Sequence, residues 1–127
     1  MPEVNEYAIT KVATVTGVDM KTGGLTTLYT VPSGKTAYIF AVCVREPSAS
    51  MASGTDYDFG TGASANTWRQ TVNLSSMTTL ATDYMFITGA DVTKYTDCAT
   101  ASVFGIYVNT GTSATCTCSI DVFGFLA

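Results

Sequence analysis

Along most of this chain the hydrophobic positions recur with period two, and no window shows helical spacing. In Lys35-Thr-Ala-Tyr-Ile-Phe-Ala-Val-Cys-Val-Arg-Glu46, Phe40, Val42 and Val44 share one face and Ile39, Ala41 and Cys43 the other. Both faces are apolar, the pattern of a central strand covered on each side. Further on, Ala114, Cys116, Cys118, Ile120 and Val122 alternate with Thr115, Thr117, Ser119 and Asp121, which predicts a strand with one buried and one wet face. Residues 101–108 set Phe104, Ile106 and Val108 on one side, and Asn109-Thr-Gly-Thr-Ser113 then supplies turn residues; together these runs predict a C-terminal hairpin. Other strand candidates lie at 8–15, 25–31, 57–60, 67–74, 84–87 and 92–95. Turns separate them, most clearly at Lys21-Thr-Gly-Gly24 and Val31-Pro-Ser-Gly-Lys35, where proline and glycine supply the backbone angles a reversal needs. The expected fold is all-β, an antiparallel two-sheet sandwich with the jelly roll as first choice. An immunoglobulin-like sandwich and a small barrel are the alternatives.

Length supports one domain over residues 1–127, with residues 1–7 as a candidate N-terminal arm. Composition narrows the function. There is no histidine, so the commonest general base and the commonest zinc ligand are both missing. Six Lys and Arg against ten Asp and Glu give a net charge of -4, too little positive charge for binding nucleic acid through its phosphates. No apolar run reaches the roughly 20 residues of a membrane helix, and the opening Met1-Pro-Glu-Val-Asn-Glu6 has no signal-peptide pattern. The expectation is a protein that is made in the cytoplasm, touches neither membrane nor nucleic acid, and uses no cofactor.

Individual motifs add little chemistry. Asp56 and Asp58 share a face, but no calcium-loop pattern surrounds them. Gly34-Lys35-Thr36 lacks the first glycine of a phosphate loop and joins two strands, so nucleotide binding is rejected. Cys43, Cys98, Cys116 and Cys118 lack paired metal-ligand spacing and read as buried thiols. Trp68 is either a core residue or an exposed platform for sugar stacking or an interface. No catalytic constellation emerges, and the chain is read as a non-enzyme. The surface says more. Threonine is the commonest residue at 23, charged residues make up only 13%, and residues 98–127 hold one charge, Asp121. A free monomer usually keeps about 25–35% of its surface charged, so much of this surface is expected to be covered in an assembly.

The stretch Leu28-Tyr-Thr-Val-Pro-Ser-Gly-Lys-Thr-Ala-Tyr-Ile39 and the following strand to Val44 resemble the Tyr-Thr-Val-Pro-x-Gly-Lys-Thr signature of small β-sandwich proteins from tailed-phage virions. The ending Ser119-Ile-Asp-Val-Phe-Gly-Phe125 is similar to their closing strand. The resemblance implies a capsid decoration, or cement, protein on the outer surface of the head, a homotrimer whose partner is the major capsid protein. A receptor- or carbohydrate-binding module of a fibre or spike is the alternative it allows. Under that reading Glu3, Val4 and Tyr7 of the arm, with Tyr57, Phe59 and Trp68 near the long loops, are the expected interface residues.

Overall fold

The computed structural model describes residues 9–89 and 97–127, and among them there is no helix. The strands are β1 (Thr10–Asp19), β2 (Gly24–Thr30), β3 (Ala37–Arg45), β4 (Asp56–Thr61), β5 (Arg69–Val72), β6 (Tyr84–Thr88), β7 (Asp97–Cys98), β8 (Val103–Thr110) and β9 (Thr117–Leu126). The expected arm with Glu3, Val4 and Tyr7, and the strand candidate at 92–95, lie outside the described residues.

Two antiparallel sheets pack face to face. One runs β1-β9-β3-β6, with β7 also paired to β3, and the other runs β2-β8-β4-β5. The pairing is nested: β4 with β5, β3 with β6, β2 with β8 and β1 with β9. The chain is thus one long antiparallel ribbon, doubled back between β4 and β5 and rolled so that β3 meets β9 and β4 meets β8. This order is compatible with the jelly roll and differs from the immunoglobulin arrangement, in which strands C, F and G form one sheet.

The expected C-terminal hairpin does not form, because β8 and β9 belong to opposite sheets. The connection from residue 110 to 117 crosses the sandwich, and Thr112 is tied in it by its amide to the Met20 carbonyl and by its hydroxyl to the Ala114 carbonyl. The Pro32–Lys35 turn makes a similar crossing from β2 to β3. Its Lys35 amide donates to the Pro32 carbonyl, Gly34 takes a φ of 78°, and the Thr100 hydroxyl braces it by accepting from the Gly34 amide and donating to the Pro32 carbonyl.

Period two decides which side chains enter the core. Val42 and Val44 of β3, Tyr57 and Phe59 of β4, Phe104, Ile106 and Val108 of β8, and Cys118, Ile120 and Val122 of β9 are all buried there. Aromatic side chains of this size each remove about 150–250 Å² from water. Packing therefore explains the strand assignments better than any local propensity.

Candidate interaction face

The expected interface aromatics Tyr57, Phe59 and Trp68 are core residues, exposed by 0%, 0% and 4%. Trp68 lies edge-on to Phe59 and Phe104, at 6.4 and 5.6 Å between ring centroids, and its indole N–H donates to the Ile39 carbonyl at 3.1 Å. The Tyr57 hydroxyl donates to the Met20 carbonyl at 2.7 Å, and burial raises its pKa. Tyr57 and Trp68 are thus used on both their apolar and their polar parts. None presents surface to a partner, and Trp68 offers no stacking platform for a sugar. The stretches 47–54 and 60–66, expected as long loops beside these aromatics, bury Met51 and Ala65, and Gly60 and Thr61 belong to β4.

The acidic pair is equally occupied. The Asp58 carboxylate accepts from the Thr71 amide at 2.8 Å, and Asp56 accepts from the Asn109 side chain at 3.3 Å. Among the described residues no group of three His, Cys, Asp or Glu converges as metal ligands. All four cysteines are free thiols, three buried and Cys43 half-buried. Burial pushes Cys98 up to about 11 and Cys118 up to about 12, so neither is a nucleophile near neutral pH.

What the structure does gather is an aromatic face that the residue-by-residue reading missed. The outer side of the β1-β9-β3-β6 sheet carries Tyr84 and Phe86 from β6, Ala41 and Cys43 from β3, and Phe123 from β9, placed side by side by register. Tyr84 is 69% exposed and Phe86 57%, while Phe86 and Phe123 sit 5.6 Å apart between centroids. At the other end of the same face Phe125 stacks on Tyr38 at 5.0 Å and meets Phe40 at 6.0 Å. Phe40 joins this face because β3 bulges between Ile39 and Ala41, which turns consecutive side chains outward. Of the six phenylalanines in the chain, only Phe59 and Phe104 are fully buried in the core; the other four lie out here.

One polar cluster interrupts the aromatics. Arg45 Nε donates to Asp121 Oδ2 at 2.8 Å and Nη2 to Oδ1 at 3.3 Å, while the Thr14 hydroxyl donates to Oδ1 at 2.7 Å. Arg45 also reaches Glu46 at 2.8 Å. These bonds from Arg45 and Thr14 hold the Asp121 carboxyl below its ordinary range against the opposing effect of burial. The face is consequently aromatic around a paired Asp121, with Glu46 giving the cluster one net negative charge. Asp121 and Ser119 were expected on a wet face and are instead buried. β9 lies between β1 and β3, and the side chains of Thr14, Arg45 and the aromatics cover it.

No protein-family model matches the chain, and no curated protein matches it in sequence. Solved structures do share its fold. A chain in the acidic stable capsid structure of Helicobacter pylori bacteriophage KHP30 superposes with a TM-score of 0.54 at 16% identity, covering 92% of this chain and 90% of that one. A chain in the capsid asymmetric unit of cyanophage Pam1 does so with a TM-score of 0.55 at 15% identity, covering 94% and 86%.

Proposed function

We propose that this chain is a structural protein of a phage virion, a decoration protein that binds the outer surface of the capsid and links neighbouring subunits of the major capsid protein. The observation that carries this reading is the shared fold with chains of two phage capsid structures over 92% and 94% of its length. The resemblance of Leu28–Ile39 and the low charge point the same way.

The mechanism is mechanical. A mainly aromatic face is cheap to desolvate, and several such faces held in one oligomer turn modest individual contacts into a persistent clamp. No side chain has to act as acid, base or nucleophile. The resemblance implies a trimer; a two-fold pairing of edge strands in the free chain makes the order a dimer instead. Residues 1–7, with Glu3, Val4 and Tyr7, serve in this reading as an arm that reaches a neighbouring subunit. The carbohydrate-binding alternative has lost its platform with the burial of Trp68.

The test is a comparison of heads assembled with and without the chain. Heads lacking it are expected to release packaged DNA at lower temperature, and purified chain added back should bind them and restore the native release temperature. Heads of unchanged stability that fail to take up the added chain would refute the decoration role.

A further inference from the structure

The free edges of the two sheets are not alike. Edge strands are templates for pairing with another chain unless bulges, charges or distortion blunt them. β1 is bulged twice and carries Lys11. β2 is bulged between Thr27 and Tyr29. β5 pairs irregularly with β4, carries Arg69, and holds Thr71 at a φ of 55°. β6, Tyr84-Met-Phe-Ile-Thr88, has an unbroken register with β3, no charge, no proline and no bulge. Among the described residues it is the edge blunted least, with only the Arg69 guanidinium meeting it, at the Thr88 carbonyl.

Its backbone polarity can be assigned. The Glu46 amide donates to the Asp83 carbonyl, so the paired positions that exchange hydrogen bonds with β3 are those in step with Asp83, namely Met85 and Ile87. The N–H and C=O groups of Tyr84, Phe86 and Thr88 therefore point away from β3. Consistently, the Thr88 carbonyl accepts from Arg69 Nη1 at 3.0 Å, across the mouth of the sandwich.

We propose that β6 pairs antiparallel with β6 of a second copy about a two-fold axis at Phe86, joining two β1-β9-β3-β6 sheets into one continuous sheet. The strand is self-complementary about that residue. Phe86 faces its own symmetry mate, Tyr84 faces Thr88, and the core-facing Met85 and Ile87 face each other, so inner and outer sides match throughout. The outward backbone groups of Tyr84, Phe86 and Thr88 then bond across the join. Charge agrees as well. Arg69, held at Thr88, comes alongside Asp83 at the opposite end of the partner's strand, once on each side of the axis. A second copy suits this edge because the strand itself is uncharged and its two ends carry opposite signs, so that antiparallel pairing sets Arg69 beside Asp83 twice and offsets the repulsion between two chains of net charge -4.

The experiment uses the free full-length chain, so its outcome is separate from that of capsid binding. Light scattering across a concentration series under reducing conditions should give a mass of twice the chain. Hydrogen exchange should find the Tyr84, Phe86 and Thr88 amides protected in that dimer. Phe86→Lys sets two like charges at the axis and leaves the β3 pairing intact; it should raise the dimer dissociation constant at least about tenfold, with an unchanged circular dichroism spectrum confirming its fold. Arg69→Asp and Asp83→Arg should each weaken the dimer, and the double variant should recover it. A strict monomer, a trimer, a Phe86→Lys variant that dimerises normally, or free exchange of the Phe86 amide in the dimer would overturn the proposal.

Discussion

Arg45 clasps Asp121 across adjacent strands on the outer face of the β1-β9-β3-β6 sheet, with Nε 2.8 Å from Oδ2 and the aspartate side chain only 10% exposed. The bridge places the last acidic residue of the chain in the middle of an aromatic surface, where an unpaired carboxylate would be costly. Asp121→Asn should lower stability by about 1–3 kcal/mol, read from urea unfolding near neutral pH. Because the folded carboxyl titrates below its ordinary 3.8, the stabilisation is fully present above that value and is lost as pH falls through the depressed folded pKa. The difference between native chain and variant should therefore close below pH 3.8. A difference that stays constant through acid would show that the charge of Asp121 is not what stabilises the sheet.

Trp68 is the only tryptophan, and its burial has a spectroscopic consequence. Its emission should be blue-shifted, shielded from acrylamide, and unmoved by added oligosaccharides. Trp68→Phe removes the hydrogen bond to the Ile39 carbonyl and leaves a void against Phe59 and Phe104; a loss of about 2–4 kcal/mol is expected by thermal or urea unfolding. A quencher-accessible tryptophan would contradict the packing.

Gly124 passes close to the Tyr38 backbone, where a Cβ would collide with the Tyr38 carbonyl oxygen and lie 3.1 Å from the Ile39 Cα. Both neighbours are main chain, so neither can swing away. Gly124→Ala should cost about 1–3 kcal/mol or more and shift the amide signals of residues 37–41 in a heteronuclear spectrum. Near-native stability would mean that the β3 bulge relaxes freely.

The thiols should be slow to react. Burial raises the pKa of Cys43, Cys98 and Cys118, so a chromogenic disulfide reagent at neutral pH should label the native chain slowly, with half-buried Cys43 first. All four should react promptly in denaturant. Rapid native labelling of Cys118 would indicate that its end of the core opens readily.

The alternation of polar and apolar residues made the strands legible because it follows directly from the pleat: β3, β8 and the buried side of β9 lie where it put them, except that the β3 bulge sets Ile39, not Phe40, in the core beside Val42 and Val44. Partnership was not legible. Residues 101–122 read equally well as a hairpin or as two strands of opposite sheets, since the six-residue connection 111–116 can make either link and only the packing of Ile106 and Ile120 into one core decides. The site was misjudged for a related reason. Tyr57, Phe59 and Trp68 drew attention through their neighbouring loops, although they alternate inward. The stronger signal lay in Tyr84-Met-Phe-Ile and Val122-Phe-Gly-Phe125, apolar on both faces. In a two-layer sandwich a strand has only one side to bury within its own chain, so such a pattern marks an outward-facing apolar surface.

The nested ribbon also orders events in time. β9 sits between β1 and β3, yet it follows every other described strand in the chain. A nascent polypeptide emerging from the ribosome can close β4 on β5 and β3 on β6 early, over short stretches of chain. It cannot seat β1 in its sheet until β9 has been translated and released. Folding therefore waits on the arrival of β9 and finishes through the long-range closures that slow all-β proteins to milliseconds or seconds, and until then the Ile120 and Val122 positions of the core stand open.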